Sequence, residues 1–312
     1  LHCGYVLFGF IFRTNGGRGG CRRRGSEILI DLDSVGFVRR NFATKSIREK
    51  FKINMPGSFE QKVFLSRAQR NLMTRGNPIF AYHKIGVAPS QTSDPFLYGT
   101  PENLNRHLSM LKEAGFFTVK LDEIVTDESK LRTAITFDDG FQNVFEYGLE
   151  ILARHQTPAI QFIVTGAIGR QNDWDIAKGD VAEPLMNASQ IKEWILAGHE
   201  IGSHTITHHN LKKLSAAEAR EEIFSSKKFL EDTFGVTVKH FCYPFGGWTP
   251  SVRNLVNEAG YATACTVDFG VNETGADPFA LRRIIPLSRG ELLRKVFHRL
   301  MQRTRSRAKN VK

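Results

Sequence analysis

The sequence predicts an α/β fold in which a parallel sheet curls toward a closed barrel, with crossover helices packed outside it. Two observations carry this reading. Short apolar runs alternate with amphipathic segments through more than two hundred residues, as consecutive βα units do. The apolar runs also finish on polar residues, and in a barrel of parallel strands those C-terminal ends surround the active site. No repeat of fixed period and no long linker interrupts residues 77–288.

The elements follow in order. "NPIFAYHKIG" (77–86) is an apolar run bounded by Pro and Gly, a buried strand. "PENLNRHLSMLKEAG" has helical spacing and stops on Gly115. "FFTVKL" (116–121) is a short strand, and "LRTAITFDDG" (131–140) is a strand running into a glycine turn. "FQNVFEYGLEILARHQ" is helical, "TPAIQFIVTG" a strand, and "ASQIKEWILAGHEIGSH" a helix followed by a strand. "SAAEAREEIFSSKKFLEDTFG" is a helix that opens with Ser215 and Glu218 at capping-box spacing and closes on Gly235. "VKHFCYPFGG" is a strand, and "TPSVRNLVNEAG" a helix with Pro250 just inside its start. "YATACTVD" and "ALRRIIPL" complete the series as strands.

The net charge of +11 is unevenly placed. Residues 1–75 carry +10, residues 289–312 carry +8, and residues 76–288 carry −7. Three parts are therefore expected: a poorly ordered basic extension (1–75), a catalytic-type domain (76–288), and a basic tail (289–312). In the extension, "YVLFGFIF" is too short to span a bilayer and lacks the basic lead of a signal peptide, and "TNGGRGGCRRRG" has a disordered composition. One reading is that Met55 or Met73 is the natural start. The tail places Leu292, Leu293, Val296, Phe297, Leu300 and Met301 at helical spacing with a basic opposite face. It is read as a helix packed on the barrel or, alternatively, lying on a membrane surface. A basic chain invites a nucleic-acid partner, but the middle domain is acidic and carries no such motif, so none is expected. Contact of the basic ends with anionic lipid is the alternative, which favours the cytoplasm or a membrane surface over export. Of four cysteines, Cys3 and Cys21 lie in the extension, while Cys242 and Cys265 sit in apolar runs and read as small core residues.

Three stretches carry chemistry. "GHEIGSHTITHHNL" holds His199, His204, His208 and His209, and the four-residue spacing of His204 and His208 brings two imidazoles to one ion. Solvated or core histidines would have the same spacing by chance. "ITFDDG" ends a strand on Asp138 and Asp139, adjacent carboxylates that are costly unless paired, exposed or bound to metal. One can complete a metal site while the other takes a proton; a simple Asp-Asp-Gly turn is the structural alternative. "FCYPFGG" makes a rigid aromatic turn, either packing or a wall for a sugar ring with a backbone N–H for an oxyanion.

In this order these stretches resemble the polysaccharide deacetylase family, also called the NodB homology domain or carbohydrate esterase family 4. Its first motif stands as Thr136-Phe137-Asp138-Asp139-Gly140 and its second as His204-Thr205-Ile206-Thr207-His208. The resemblance covers roughly residues 77–288. It implies a deformed (β/α)7 barrel. It implies that Asp139, His204 and His208 hold a divalent metal, usually zinc, and that Asp138 is the general base. The implied reaction is hydrolysis of the acetamide of an N-acetylated sugar to acetate and a free amine. Tyr243, Pro244, Phe245 and Gly246 become the substrate wall. The usual third motif has an Arg where Cys242 stands, so the run resembles a "YPFG" branch that includes poly-N-acetylglucosamine deacetylases. In that branch Arg283, on a late strand, would pair with Asp138. The family's late histidine is missing, and His83 on the first strand would replace it as general acid in a permuted arrangement. His199 is expected to be structural and His209 solvated or supporting. The alternatives are an amide hydrolase acting on a non-sugar substrate and a glycan-binding relative without activity.

Overall fold

Strands form where β-branched and aromatic residues cluster, because such side chains fill a pleated, buried surface. The computed structural model describes residues 72–73, 75–124 and 131–286. Its strands are β1 (Ile79–Tyr82), β2 (Lys84–Ile85), β3 (Tyr98–Gly99), β4 (Phe117–Thr118), β5 (Arg132–Phe137), β6 (Ala159–Ile163), β7 (Glu200–Ser203), β8 (His240–Cys242), β9 (Thr263–Phe269) and β10 (Leu281–Arg283). Its α-helices are α1 (Pro101–Glu113), α2 (Gln142–His155), α3 (Asp173–Ile176), α4 (Ala188–Leu196), α5 (Ala216–Phe234) and α6 (Pro250–Glu258). Of the expected 1–75 extension only residues 72, 73 and 75 are described, and the expected basic helix at 289–312 lies outside the described residues. No described helix is long and apolar enough to cross a membrane.

β1, β5, β6, β7, β8, β9 and β10 lie side by side in that order, each pair parallel. A parallel bridge between Phe80 and Ile284 then joins the last strand to the first. Ala81 N–H donates to the Ile284 carbonyl at 3.0 Å, and Ile284 N–H donates to the Ile79 carbonyl at 2.8 Å. These bonds close a seven-stranded ring with helices outside it, the deformed (β/α)7 barrel. β4 adds to the start of β5, and β2 with β3 forms a separate small ladder.

Side chains alternate across the strand with period two. Ile79, Ala134, Ile160, Phe162, Cys242, Cys265 and Leu281 form one buried cluster within the ring. Their neighbours Phe80, Ile135, Phe137, Ile163, Phe241, Tyr243, Ala264 and Ile284 form the other, against helix residues such as Leu104, Val144, Trp194 and Leu230. Carried on at the same parity toward the strands' C-terminal ends, the inner rows reach the barrel mouth at His83, Asp138, His204 and Arg283, beside Cys242. The strand register therefore decides which side chains meet there.

The helices start and stop as their ends require. Ser215 and Glu218 make the expected reciprocal capping box on α5, and Gly235 ends it in the left-handed conformation. Pro250 occupies the first turn of α6 behind the Thr249 cap. Asn187 and Gln190 form a second capping box on α4. Two expectations are corrected. The run 77–86 breaks at His83 into β1 and β2, because the chain leaves the ring to pair with β3. The run 116–121 is only two residues of strand before a 3₁₀ turn at Leu121–Glu123.

Candidate active site

Asp138 continues the first ladder, its N–H donating to the Tyr82 carbonyl at 2.9 Å. Asp139 and Gly140 then both take left-handed backbone, with φ of 75° and 83°. That reversal sends the two adjacent carboxylates to different partners. Asp138 faces Arg283, which donates from Nη1 to Oδ1 and from Nη2 to Oδ2, both at 2.7 Å. The same guanidinium donates to the Thr266 carbonyl, to Thr136 Oγ1 and toward Cys242 Sγ, so its position is fixed from three strands. Burial alone would push the Asp138 carboxyl up. The Arg283 charge and its paired hydrogen bonds outweigh that and hold it below the usual carboxylate range. His83 Nε2 lies 3.7 Å from Asp138 Oδ2.

Asp139 faces His204 and His208, with its Oδ1 3.3 Å and 3.2 Å from their Nε2 atoms. His204 Nδ1 is 2.7 Å from the Cys242 carbonyl, which can only accept, so Nδ1 carries the proton. In the neutral ring, Nε2 then offers a lone pair toward a carboxylate oxygen, and both groups are buried. Two acceptors facing each other in a buried site call for a positive charge between them, either a second ring proton or a metal ion. In a tetrahedral site with metal–ligand bonds of 2.0–2.1 Å, neighbouring donor atoms are about 3.3 Å apart. The Asp139, His204 and His208 donors, all within 4.8 Å of one another, fit a divalent ion of that kind.

Among the described residues, the non-glycine positions with positive φ are Asp139, Gln156, Thr205, His208 and Phe245. Gln156 caps α2; the other four surround this site. Such backbone costs about 1–3 kcal/mol per residue and persists only where its surroundings enforce it. The His208 ring is held between Trp174, stacked at 4.4 Å, and Phe245, edge-on at 4.5 Å. Both aromatics and His208 line a cavity of about 700 Å³, with Lys178, Ile206 and Asn210.

The expected substrate wall is corrected in part. Phe245 borders the cavity, but the Tyr243 ring is fully buried in the outer core, against Phe241 and Trp248. Strand alternation explains this, since residue 242 points inward and 243 outward. The Tyr243 hydroxyl donates to the Phe279 carbonyl and its N–H to the Cys265 carbonyl, so it offers no oxyanion donor. Pro244 is buried as well. Gly246 has φ of 65°, and a Cβ there would meet Val267 Cγ2 at 2.1 Å, so only glycine fits the turn.

The four histidines separate. His199 is buried against Trp194, and burial pushes it down to about 4. His209 stands outside the ligand group: its side chain is 67% exposed, and its Nδ1 lies 2.7 Å from Thr207 Oγ1. Sequence reasoning passed over Glu222. On α5 it stands in the buried stripe with Ala219, Ile223, Ser226 and Leu230, and it accepts from two backbone N–H groups of the histidine loop. A carboxylate on an apolar stripe was the available signal.

With the geometry established, comparison with known proteins identifies the fold's relatives. Residues 126–264 match the family model for polysaccharide deacetylases. The similarity to the polysaccharide deacetylase family thus spans the segment that holds Asp138, Asp139, His204 and His208. The chain is similar to a chitooligosaccharide deacetylase of Azorhizobium caulinodans, 34% identical over 40% of this chain and 53% of that protein. It is also similar to a poly-β-1,6-N-acetyl-D-glucosamine N-deacetylase of Staphylococcus aureus, 25% identical over 48% of this chain and 53% of that protein. The chain thus spans about half the length of these two curated relatives. In fold the domain is similar to the Streptococcus pyogenes deacetylase PplD, solved with acetate. The TM-score is 0.60 at 22% identity, covering 70% of this chain and 97% of that one.

Proposed function

We propose that this chain is a metal-dependent N-deacetylase of glycans containing N-acetylglucosamine, hydrolysing the acetamide to acetate and a free amine. The observation that carries the proposal is the pair of neighbouring carboxylates with separate surroundings. Asp139 converges with His204 and His208, while Asp138 is held ionised by Arg283. Two imidazoles and one carboxylate suit zinc among the divalent metals. When bound, zinc supplies Lewis-acid polarisation of the acetamide carbonyl and a lowered pKa for the attacking water.

The chain's own residues supply the rest. Asp138, kept as the carboxylate, accepts the proton of the attacking water. His83, at the same mouth, donates a proton to the departing amine. Phe245 and Trp174 offer apolar faces to the sugar ring beside His208. The relatives' names point to β-linked N-acetylglucosamine chains as the substrate class. The basic ends of the chain are proposed to rest on anionic membrane surfaces.

Acetate release from chitooligosaccharides and from poly-β-1,6-N-acetylglucosamine tests the reading. Activity is expected to vanish after chelation and to return with zinc. Full turnover in strong chelator would sink the metal-dependent reading, and no release from either glycan after zinc loading would sink the substrate class.

A further inference from the structure

The segment Thr205–His208 joins the proposed metal ligands His204 and His208 through an unfavourable backbone, with φ of 70° at Thr205 and 61° at His208. Something must hold it, and the contacts divide by side. The carbonyls of Thr205 and Ile206 accept from Thr165 N–H at 3.0 Å and Gly166 N–H at 2.9 Å. Gly166 is required for that approach, since a Cβ would lie 2.7 Å from the Ile206 carbonyl oxygen. On the other side, Glu222 Oε2 accepts from Ile206 N–H at 2.7 Å and Thr207 N–H at 3.0 Å. The Thr207 hydroxyl donates to Glu222 Oε1. Within the loop, His208 N–H donates to Thr205 Oγ1 at 3.1 Å.

Glu222 is 8% exposed and lies on α5, an element that contributes no other group to the histidine loop's backbone N–H groups. A buried carboxylate is costly unless its lone pairs are taken up, and here charge-assisted bonds to the loop do that. We infer that Glu222 is a positioning residue for the metal centre: it pins residues 206 and 207 so that His208 meets His204 and Asp139. The inference rests on the proposed metal site and adds a group outside the ligand set. Partners of this kind, acting behind the ligands, typically change metal affinity about 10- to 100-fold when removed.

Zinc affinity of the full chain, measured by competition with a chromophoric chelator, tests this apart from turnover. Glu222→Leu removes the acceptors at similar size and is expected to weaken zinc binding about 10- to 100-fold. Glu222→Gln keeps an oxygen for the two N–H groups and is expected to recover most of that loss. Glu231→Ala is the control on the same helix, because Glu231 also accepts a backbone N–H, that of Val238 at 3.0 Å, away from the histidine loop. It is expected to lower the melting temperature with zinc affinity unchanged. Wild-type affinity in Glu222→Leu, or equal weakening in Glu231→Ala, would overturn the inference. Should Glu222→Leu fail to fold, Thr207→Val removes the hydroxyl's contacts to Glu222 and to the exposed His209 while keeping both N–H bonds to Glu222; it is expected to weaken zinc binding several-fold, and unchanged affinity there overturns the inference too. A wild-type chain that binds no zinc would instead refute the metal site itself.

Discussion

Arg283 holds Asp138 with two 2.7 Å hydrogen bonds across 145 positions of sequence. Breaking a buried ion pair from one side leaves an uncompensated charge and costs about 3–5 kcal/mol. Arg283→Met is therefore expected to lower stability by about that much and to cut turnover at least about 100-fold. Denaturant unfolding and acetate release measure the two effects. Asp138→Asn keeps the shape but cannot accept the proton, so turnover is expected to fall about 10²–10⁴-fold while zinc binding persists. His83→Ala tests a different role. Near-normal turnover in that variant would remove the proton-donor assignment without touching the rest. At this scale the sequence was informative about residue types and silent about directions. Asp138 and Asp139 are adjacent in it, and only the family resemblance assigned one to Arg283 and the other to the histidines; the left-handed turn at Asp139 is the physical reason they diverge. Tyr243 shows the converse: its motif suggests the mouth, and its strand parity sends it to the core.

At the scale of elements, the legible features were those with local causes. The α5 capping box, the Pro250 start of α6 and the alternating strands follow from interactions within a few residues. Ser215→Ala is expected to cost about 1 kcal/mol in urea unfolding, with turnover unchanged. The features that were not legible depend on distant chain. β1 stops at Tyr82 because β3 recruits Lys84 and Ile85, and Glu222 reads as a flaw in an apolar stripe until the histidine loop lies over it. The turn after β8 is a further local constraint. Gly246→Ala would place a methyl against Val267 and force a disfavoured φ, so a loss of about 1–3 kcal/mol is expected.

At the scale of the whole molecule, buried histidines make the barrel sensitive to acid. Burial pushes His107 down to about 3 and His240 down to about 4. Their unfolded pKa is near 6.5, so the unfolded chain binds more protons than the folded one below that value. Stability is then complete above about pH 6.5 and declines as the pH falls toward the folded values, by about 3 kcal/mol for His240 alone. Urea midpoints measured from pH 7 to pH 4 are expected to fall, and His240→Asn to flatten the curve. An unchanged midpoint in the wild-type chain would contradict this.

The bridge between Phe80 and Ile284 has a consequence for how the protein is made. His83 follows the first strand of the ring and Arg283 ends the last, and both act on Asp138. A chain emerging from the ribosome therefore displays the aspartates and histidines of its site long before the guanidinium that tames them exists. Until residue 283 is translated and the ring shuts, Asp138 lacks its cation and the nascent barrel keeps two open strand edges. Catalytic competence should arrive in one step, once β10 has joined the ring, and a nascent chain stalled before β10 should hydrolyse nothing.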